Sequence, residues 1–324
     1  MFRHALQNPR VMVTNSEVFV AWQTSQPGSA VVRSELARID ATTGRIQARQ
    51  RFSAFVLQVL QAAGSLWVAT SIGSASATET LLRLNPRTLQ VTRRWRIGIG
   101  GEPDWAAQVL VVAGGGLWDA GGNRLVRVSL PTGMVTTSIP LPGAASSDLS
   151  ANAAGTKLLV GIADNEGRGV VQRRDATTGA VLASRRVSGV AAPMVAGPVG
   201  RAVWISEPTG MMGYVQRLNA ASMTADRSTC WEGQITRTCV SGTNDITARV
   251  ANGLVWVTQV AGGTARNYCA DPVDGRKLAS IGLPQPNQDI VLAIAPHQIF
   301  YGAPGPKGGE YLRQETIPSA CRAL

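Results

Sequence analysis

One unit recurs seven times along this chain: an apolar run, a Gly-containing turn, a strand centred on a large apolar residue, a third strand ending in a turn, and a fourth strand. The second-strand copies read Val-Phe-Val-Ala (18–21), Leu-Trp-Val-Ala (66–69), Leu-Trp-Asp-Ala (117–120), Leu-Leu-Val-Gly (158–161), Val-Trp-Ile-Ser (203–206), Val-Trp-Val-Thr (255–258) and Ile-Phe-Tyr-Gly (299–302). Their central residues, Phe19, Trp67, Trp118, Leu159, Trp204, Trp256 and Phe300, are spaced by 48, 51, 41, 45, 52 and 44 residues. A period of roughly 40–50 residues built from short strands is the signature of a propeller blade.

The turn after the third strand repeats with the same count. It reads Asp-Ala-Thr-Thr-Gly at 40–44 and 175–179, Pro-Thr-Gly at 131–133 and Asp-Pro-Val-Asp-Gly at 271–275, with weaker copies at 85–89 and 219–223. Asp and Asn bond backbone amides two residues on, and Gly supplies a positive φ, so these are hairpin turns with a mechanism. No helical period appears. The expected class is all-β: a single domain over residues 1–324, a seven-bladed β-propeller of four-stranded blades. The large residue of each second strand is expected to fill the space between blades, each burial stabilising by about 2–3 kcal/mol before entropy is subtracted. The last copy is short, so Phe2–Gln7 are expected to supply the outer strand of the last blade and close the ring. Arg49, Arg51, Arg93, Arg94, Arg96, Arg185 and Arg186 then fall on outer edges, where charge discourages pairing between molecules.

Gly-Ser-Leu-Trp-Val-Ala (64–69) with Leu-Leu-Arg-Leu-Asn-Pro (81–86), and Ala-Val-Trp-Ile-Ser-Glu (202–207) with Gln-Arg-Leu-Asn (216–219), resemble the blades of bacterial quinoprotein-like and surface-layer propellers, and of streptogramin lyases. These motifs specify a blade rather than an activity. Resemblance to the lyases implies a catalytic histidine with acidic and metal-binding companions at the central face. The two histidines, His4 in the expected closing strand and His297 in a turn of the last blade, do not match that placement, and no catalytic residue carries over. Glu207 does follow the blade motif as in those lyases.

A net charge of +11 invites a nucleic-acid reading, but 28 of the 31 basic residues are Arg scattered along the chain. No specific nucleic-acid partner is expected. No apolar run approaches the roughly 18 residues of a membrane span. The N-terminal nine residues carry no apolar signal core, which leaves either the cytosol or an envelope reached through a segment outside this chain. Cys230 and Cys239 bracket an insertion between blades five and six and could bridge locally, and Cys269 could then pair with Cys321. Such placement favours an oxidising, extracellular or envelope compartment, against the alternative of four unrelated thiols.

The glycines at 98–101 and 302–309 fail the contexts of dinucleotide and phosphate loops and read as connecting loops. No zinc-like Cys/His spacing and no cofactor motif is found. Aspartates at the start of first strands stand out: Asp104, Asp148, Asp245 and Asp289, spaced by 44, 97 and 44 residues, or one, two and one blades. First strands line a propeller's axis, so these carboxylates would share one end of the channel. At separations of roughly 10 Å and an effective dielectric near 20, each pair would repel by about 1–2 kcal/mol. Two readings stay open: aspartates capping turns through backbone amides, or a mouth that binds Ca2+ or a cationic ligand. The functional expectation is a monomeric, non-catalytic module for a protein or small-molecule ligand, the exported part of an envelope or sensor protein. The alternative is a propeller enzyme with lyase-like or hydrolase-like chemistry at its central face.

Overall fold

The structure, a computed structural model, describes residues 7–14, 17–24, 33–72, 77–100, 109–120, 124–141, 148–152, 154–163, 166, 168–187, 194–199, 201–208, 213–229, 245–261, 264–273, 275–282, 291–295, 297–304 and 310–322. Blade one contains β1 (Gln7–Val13), β2 (Glu17–Gln23), β3 (Ser34–Asp40) and β4 (Ile46–Phe52); blade two contains β5 (Phe55–Ala62), β6 (Ser65–Ile72), β7 (Ala77–Leu84) and β8 (Val91–Gly100). Blade three is β9 (Leu110–Ala113), β10 (Gly116–Asp119), β11 (Arg124–Ser129) and β12 (Val135–Pro140); blade four is β13 (Asp148–Ala151), β14 (Lys157–Ala163), β15 (Gly169–Asp175) and β16 (Val181–Arg186). Blade five holds β17 (Met194–Val199), β18 (Ala202–Pro208), β19 (Gly213–Asn219) and β20 (Ala225–Thr229); blade six holds β21 (Asp245–Ala251), β22 (Leu254–Ala261), β23 (Thr264–Ala270) and β24 (Lys277–Gly282). Blade seven shows β25 (Val291–Ile294), β26 (Gln298–Pro304) and β27 (Glu310–Thr316), followed by a 3-10 turn at Ser319–Cys321.

Every sheet is antiparallel with strands in chain order. The first strands pack side by side, β1 against β5, then β9, β13, β17 and β21 in succession, and β1 also against β25. They form the wall of a central channel, and the ring closes where β1 meets β25. The fold is therefore the expected seven-bladed propeller. One detail differs: Gln7 opens the innermost strand of blade one rather than an outer strand of blade seven, and Phe2–Leu6 lie outside the described residues. Gly98 and Gly100 also belong to β8, and Gly302 to β26, rather than to loops. Register shifts between Glu79/Thr80 and Arg83/Leu84 accompany the ten-residue length of β8.

Local chemistry fixes one face of the ring. Turns from first to second strand carry two successive positive φ angles, at Ala63-Gly64 (48° and 69°), Gly114-Gly115 (57° and 71°) and Asn252-Gly253 (53° and 71°). That is type I′ geometry, whose twist matches the strands it joins. Turns from third to fourth strand are held by their Asp or Asn. Asp40 Oδ1 accepts from Thr42 N at 3.0 Å, Thr43 N at 2.7 Å and Thr43 Oγ1 at 2.9 Å. Asp175 repeats the pattern with Thr177 and Thr178, and Asn85, Asn219 and Asp271 repeat its core. In the two weaker copies the left-handed position is Leu89 or Met223 rather than Gly, and both side chains are buried in the core.

All seven central residues are buried between blades. The indoles need a hydrogen-bond acceptor in that setting. Trp67 and Trp256 donate to their own blade's first turn, at Ala62 O (3.3 Å) and Ala251 O (3.1 Å). Trp118 and Trp204 donate to the next blade's turn, at Ala176 O (2.9 Å) and Pro272 O (3.2 Å). In five blades the third-strand residue directly opposite the central one is arginine: Arg38, Arg83, Arg127, Arg173 and Arg217. Arg83 Nη1 donates to Pro131 O at 3.3 Å and Arg173 to Ala220 O, each a carbonyl of the following blade's turn. The outer-strand residues Arg93 (to Thr132 O, 2.7 Å) and Arg185 (to Met223 O, 3.3 Å) reach the same turns. A planar, permanently charged fork on a long apolar stem suits this task better than an ammonium. Part of the basic charge is thus structural.

Blades six and seven break the arginine pattern. Blade six puts Cys269 opposite Trp256, and Cys269 forms a disulfide with Cys321, 52 residues on. Ile317 and Cys321 complete the apolar cluster between blades six and seven, and Ile317 N donates to His297 O at 3.0 Å. Cys230 and Cys239 lie outside the described residues.

Candidate functional site

The faces of the ring divide by chain length. Type I′ and Asp/Asn turns occupy one face. The opposite face receives the ends of the longer connections, residues 101–109 between β8 and β9, 141–147 between β12 and β13, 230–244 between β20 and β21, and 283–290 between β24 and β25. At this loop face the channel mouth is framed by the starts of the first strands.

Asp148 is the first residue of β13 and is buried. Its Oδ2 accepts a hydrogen bond from Val195 N, in the next blade's first strand β17. Equivalent clamps recur around the wall. Arg10 Nε donates to Leu57 O at 2.8 Å. Gln58 both donates to Leu110 O (3.1 Å) and accepts from Leu110 N (2.6 Å). Asn252 Nδ2 donates to Ala295 O at 2.9 Å. The inner strands are close here: a Cβ on Gly197 would stand 3.0 Å from Ser150 Oγ and 3.2 Å from Val250 Cβ. Arg249 of β21 is exposed on an innermost strand. Desolvation within the ring lowers its pKa, and the Asp148 carboxylate opposes that shift. Asp148 is therefore a clamp between two blades, set beside a cation. It resembles the capping reading, except that the amide belongs to the neighbouring blade.

The other three aspartates are not seen as one set. Asp245 opens β21, but its side chain is outside the described residues. β9 begins at Leu110 and β25 at Val291, so Asp104 and Asp289 precede first strands instead of starting them, and both lie outside the described residues. His297 sits in the turn between β25 and β26 on the opposite face. His4 is outside the described residues. Among the described residues no group of three or more His, Cys, Asp or Glu is arranged to hold a metal.

A further concavity of about 410 Å³ lies at the seam between blades seven and one, floored by Val18, Ile39, Phe300 and Leu312. Here Gln314, not arginine, stands opposite Phe300. On the same wall the Tyr301 hydroxyl donates to Glu315 Oε1 at 3.0 Å. Burial and the Glu315 carboxylate raise its pKa to about 12, with Arg313 opposing.

Known structures share this architecture. A europium-containing methanol dehydrogenase superposes with a TM-score of 0.58 at 11% identity, covering 98% of this chain and 81% of that one. The Dos1 propeller gives 0.59 at 11% identity, covering 89% and 73%. The quinohemoprotein alcohol dehydrogenase ADHIIG from Pseudomonas putida HK5 gives 0.52 at 11% identity, covering 78% of this chain and 55% of that chain. No family model and no curated protein sequence matches. At this identity the likeness establishes the propeller fold and nothing narrower.

The sequence did not flag the inner-strand clamps Arg10 and Gln58, or the cross-strand arginines. Arg10 and Gln58 are single polar residues in strands and carry no motif. The arginines do carry one: each stands at a fixed distance before the third-strand turn, as in Leu-Leu-Arg-Leu-Asn and Val-Gln-Arg-Leu-Asn.

Proposed function

We propose that the chain is a binding propeller, a rigid ring that presents a protein or small-molecule ligand-binding surface at its loop face. The observation that carries this reading is the division between the faces. Turn-face polar groups are engaged in structure: the Asp/Asn caps hold their own turns, Trp67 and Trp256 donate within their blades, and Trp118, Trp204 and the arginine forks bond carbonyls of the following blade's turn. The longer connections join the ring at the other face, where sequence can vary without unseating a blade. Export to an oxidising compartment fits this role and draws support from the Cys269–Cys321 disulfide. A cation or cationic ligand at the channel mouth would meet Asp148, with Arg249 opposing it.

The test exchanges residues 231–243 for a short Gly-Ser linker and compares melting with partner capture from an extract of the producing cells. An unchanged melt with lost capture supports the loop-face reading. Undiminished capture after each of the longer connections has been exchanged in turn contradicts it.

A further inference from the structure

From blade three to blade six, each third-strand turn takes a hydrogen bond from the blade before it. The seam between blades seven and one is a cavity instead. Its turn, residues 40–44 of blade one, repeats the turn 175–179 of blade four residue for residue: both read Asp-Ala-Thr-Thr-Gly, and each is capped by its own aspartate. The carbonyl of the second turn residue is where a preceding blade docks. Ala176 O accepts the Trp118 indole at 2.9 Å, Pro272 O the Trp204 indole at 3.2 Å, and Ala220 O the Arg173 guanidinium. In blade one the corresponding residue is Ala41, which lines the cavity of about 410 Å³.

The residues of blade seven account for the difference. Phe300, which has no N–H, stands where blades three and five carry tryptophan. Gln314 stands where blades two and four carry Arg83 and Arg173, and it holds its amide on a shorter stem. Gln314 is exposed, and among the described residues the bonds of the 40–44 turn stay within blade one.

The cavity keeps the chemistry of an occupied seam. Its floor is buried and apolar, with Val18 and Ile39 from blade one and Phe300 and Leu312 from blade seven. Its volume falls within the roughly 300–1,000 Å³ of ligand pockets. Asp40 adds a carboxylate beside Ala41, and hydrogen bonds from Thr43 hold that carboxyl below its ordinary range. Arg313 and Glu315 also line the rim, but they pair with Tyr301 and Ile299 on the side turned to blade six. Gln314 therefore shares the side of Phe300, and Asp40 is the charge set against the apolar floor. An apolar slot closed by an acceptor turn and a carboxylate suits a long apolar stem with a planar cationic head. A neutral indole would leave the carboxylate unmatched, and an ammonium holds its water more tightly.

We propose that the seam between blades seven and one binds an arginine side chain of a partner protein, inserted as Arg173 is between blades four and five. The stem lies over Ile39 and Phe300, and the guanidinium meets Ala41 and Asp40. This site is on the turn face and does not depend on the loop-face surface.

The experiment titrates N-acetyl-arginine N-methylamide, which mimics arginine within a chain, into the whole protein with labelled methyl groups. The Val18, Ile39 and Leu312 methyl signals are followed by NMR. They are expected to shift saturably with a Kd of about 1 mM, the affinity that ordinary efficiency per atom gives a probe of this size. The lysine and citrulline counterparts should bind at least about 10-fold more weakly. Gln314→Arg supplies the guanidinium from within and should abolish binding. Asp40→Asn keeps the cap in the form that Asn85 and Asn219 already show, and should weaken binding several-fold; it decides alone if Gln314→Arg fails to fold. No saturable shift at these methyls with about 20 mM probe, well above the expected Kd, would overturn the proposal. Equal affinity for the citrulline counterpart, or undiminished binding in either variant, would overturn it equally. Free arginine binding more tightly than the capped probe would overturn the assignment to a protein partner.

Discussion

Reducing the Cys269–Cys321 bridge should unfasten the seam between blades six and seven by a calculable amount. The bridge closes a span of 52 residues, and the chain-entropy relation assigns such a loop about 4 kcal/mol of stability. Unfolding entropy near about 2.1 cal/mol/K per residue gives about 0.7 kcal/mol/K for the whole chain, which contains 324 residues. The melting temperature should therefore fall by about 6 °C on reduction. Both sulfurs are fully buried beside Trp256, Ile299 and Ile317. Cys269→Ala/Cys321→Ala also leaves a small void, which should add about 1 kcal/mol and bring the fall to about 7 °C. The assay is differential scanning calorimetry of oxidised, reduced and variant protein, with mass spectrometry of a non-reduced digest. A reduced protein that melts within about a degree of the oxidised one would refute the entropy argument. A digest with both thiols free would refute the bridge itself.

Three further outcomes follow from the geometry. Gly114→Ala and Gly115→Ala alter neighbouring left-handed residues, but a Cβ on Gly114 would sit 2.0 Å from Ala176 O while one on Gly115 meets nothing within 4 Å. Urea unfolding should show a loss of at least about 3 kcal/mol for the first and about 1 kcal/mol for the second; equal losses would contradict the inter-blade contact. Arg173→Lys removes the planar fork that reaches Ala220 O and should cost about 1 kcal/mol despite keeping the charge, read in the same assay. A carboxyl whose folded pKa is raised, as Glu79's is to about 7 from 4.5, contributes stability that is complete below its unfolded value and is lost as pH rises through the folded one. Wild type should accordingly lose more stability between pH 5 and pH 7.5 than Glu79→Gln; parallel pH profiles would remove the buried acid from the account.

The sequence was most informative where one physical requirement repeats in every blade. The central apolar residues, the Asp/Asn turns and their glycines recur because each blade must bury one face and reverse its chain in the same way. Their spacing showed the number of blades before any contact was known. Leu89 and Met223 show how far the turn pattern tolerates substitution: the Asn cap persists while a buried side chain replaces the glycine. The interactions between blades were less legible. Asp148 finds its amide donor 47 residues away, and Gln58 its partner 52 residues away, so neither is visible as a local pattern. Phe2–Gln7 were expected to form an outer strand because the last copy is short, yet pairing with β2 draws Gln7 into the channel wall.

The central claim, that this ring binds its partner at the loop face, is tested most directly by site-specific photo-crosslinking in an extract of the producing cells. One photo-reactive residue replaces Ile72, 55% exposed at the loop-face end of β6; the other replaces Met134, 65% exposed beside the turn preceding β12. The account predicts a saturable adduct from position 72 and none from position 134. An adduct formed at position 134 alone would contradict it.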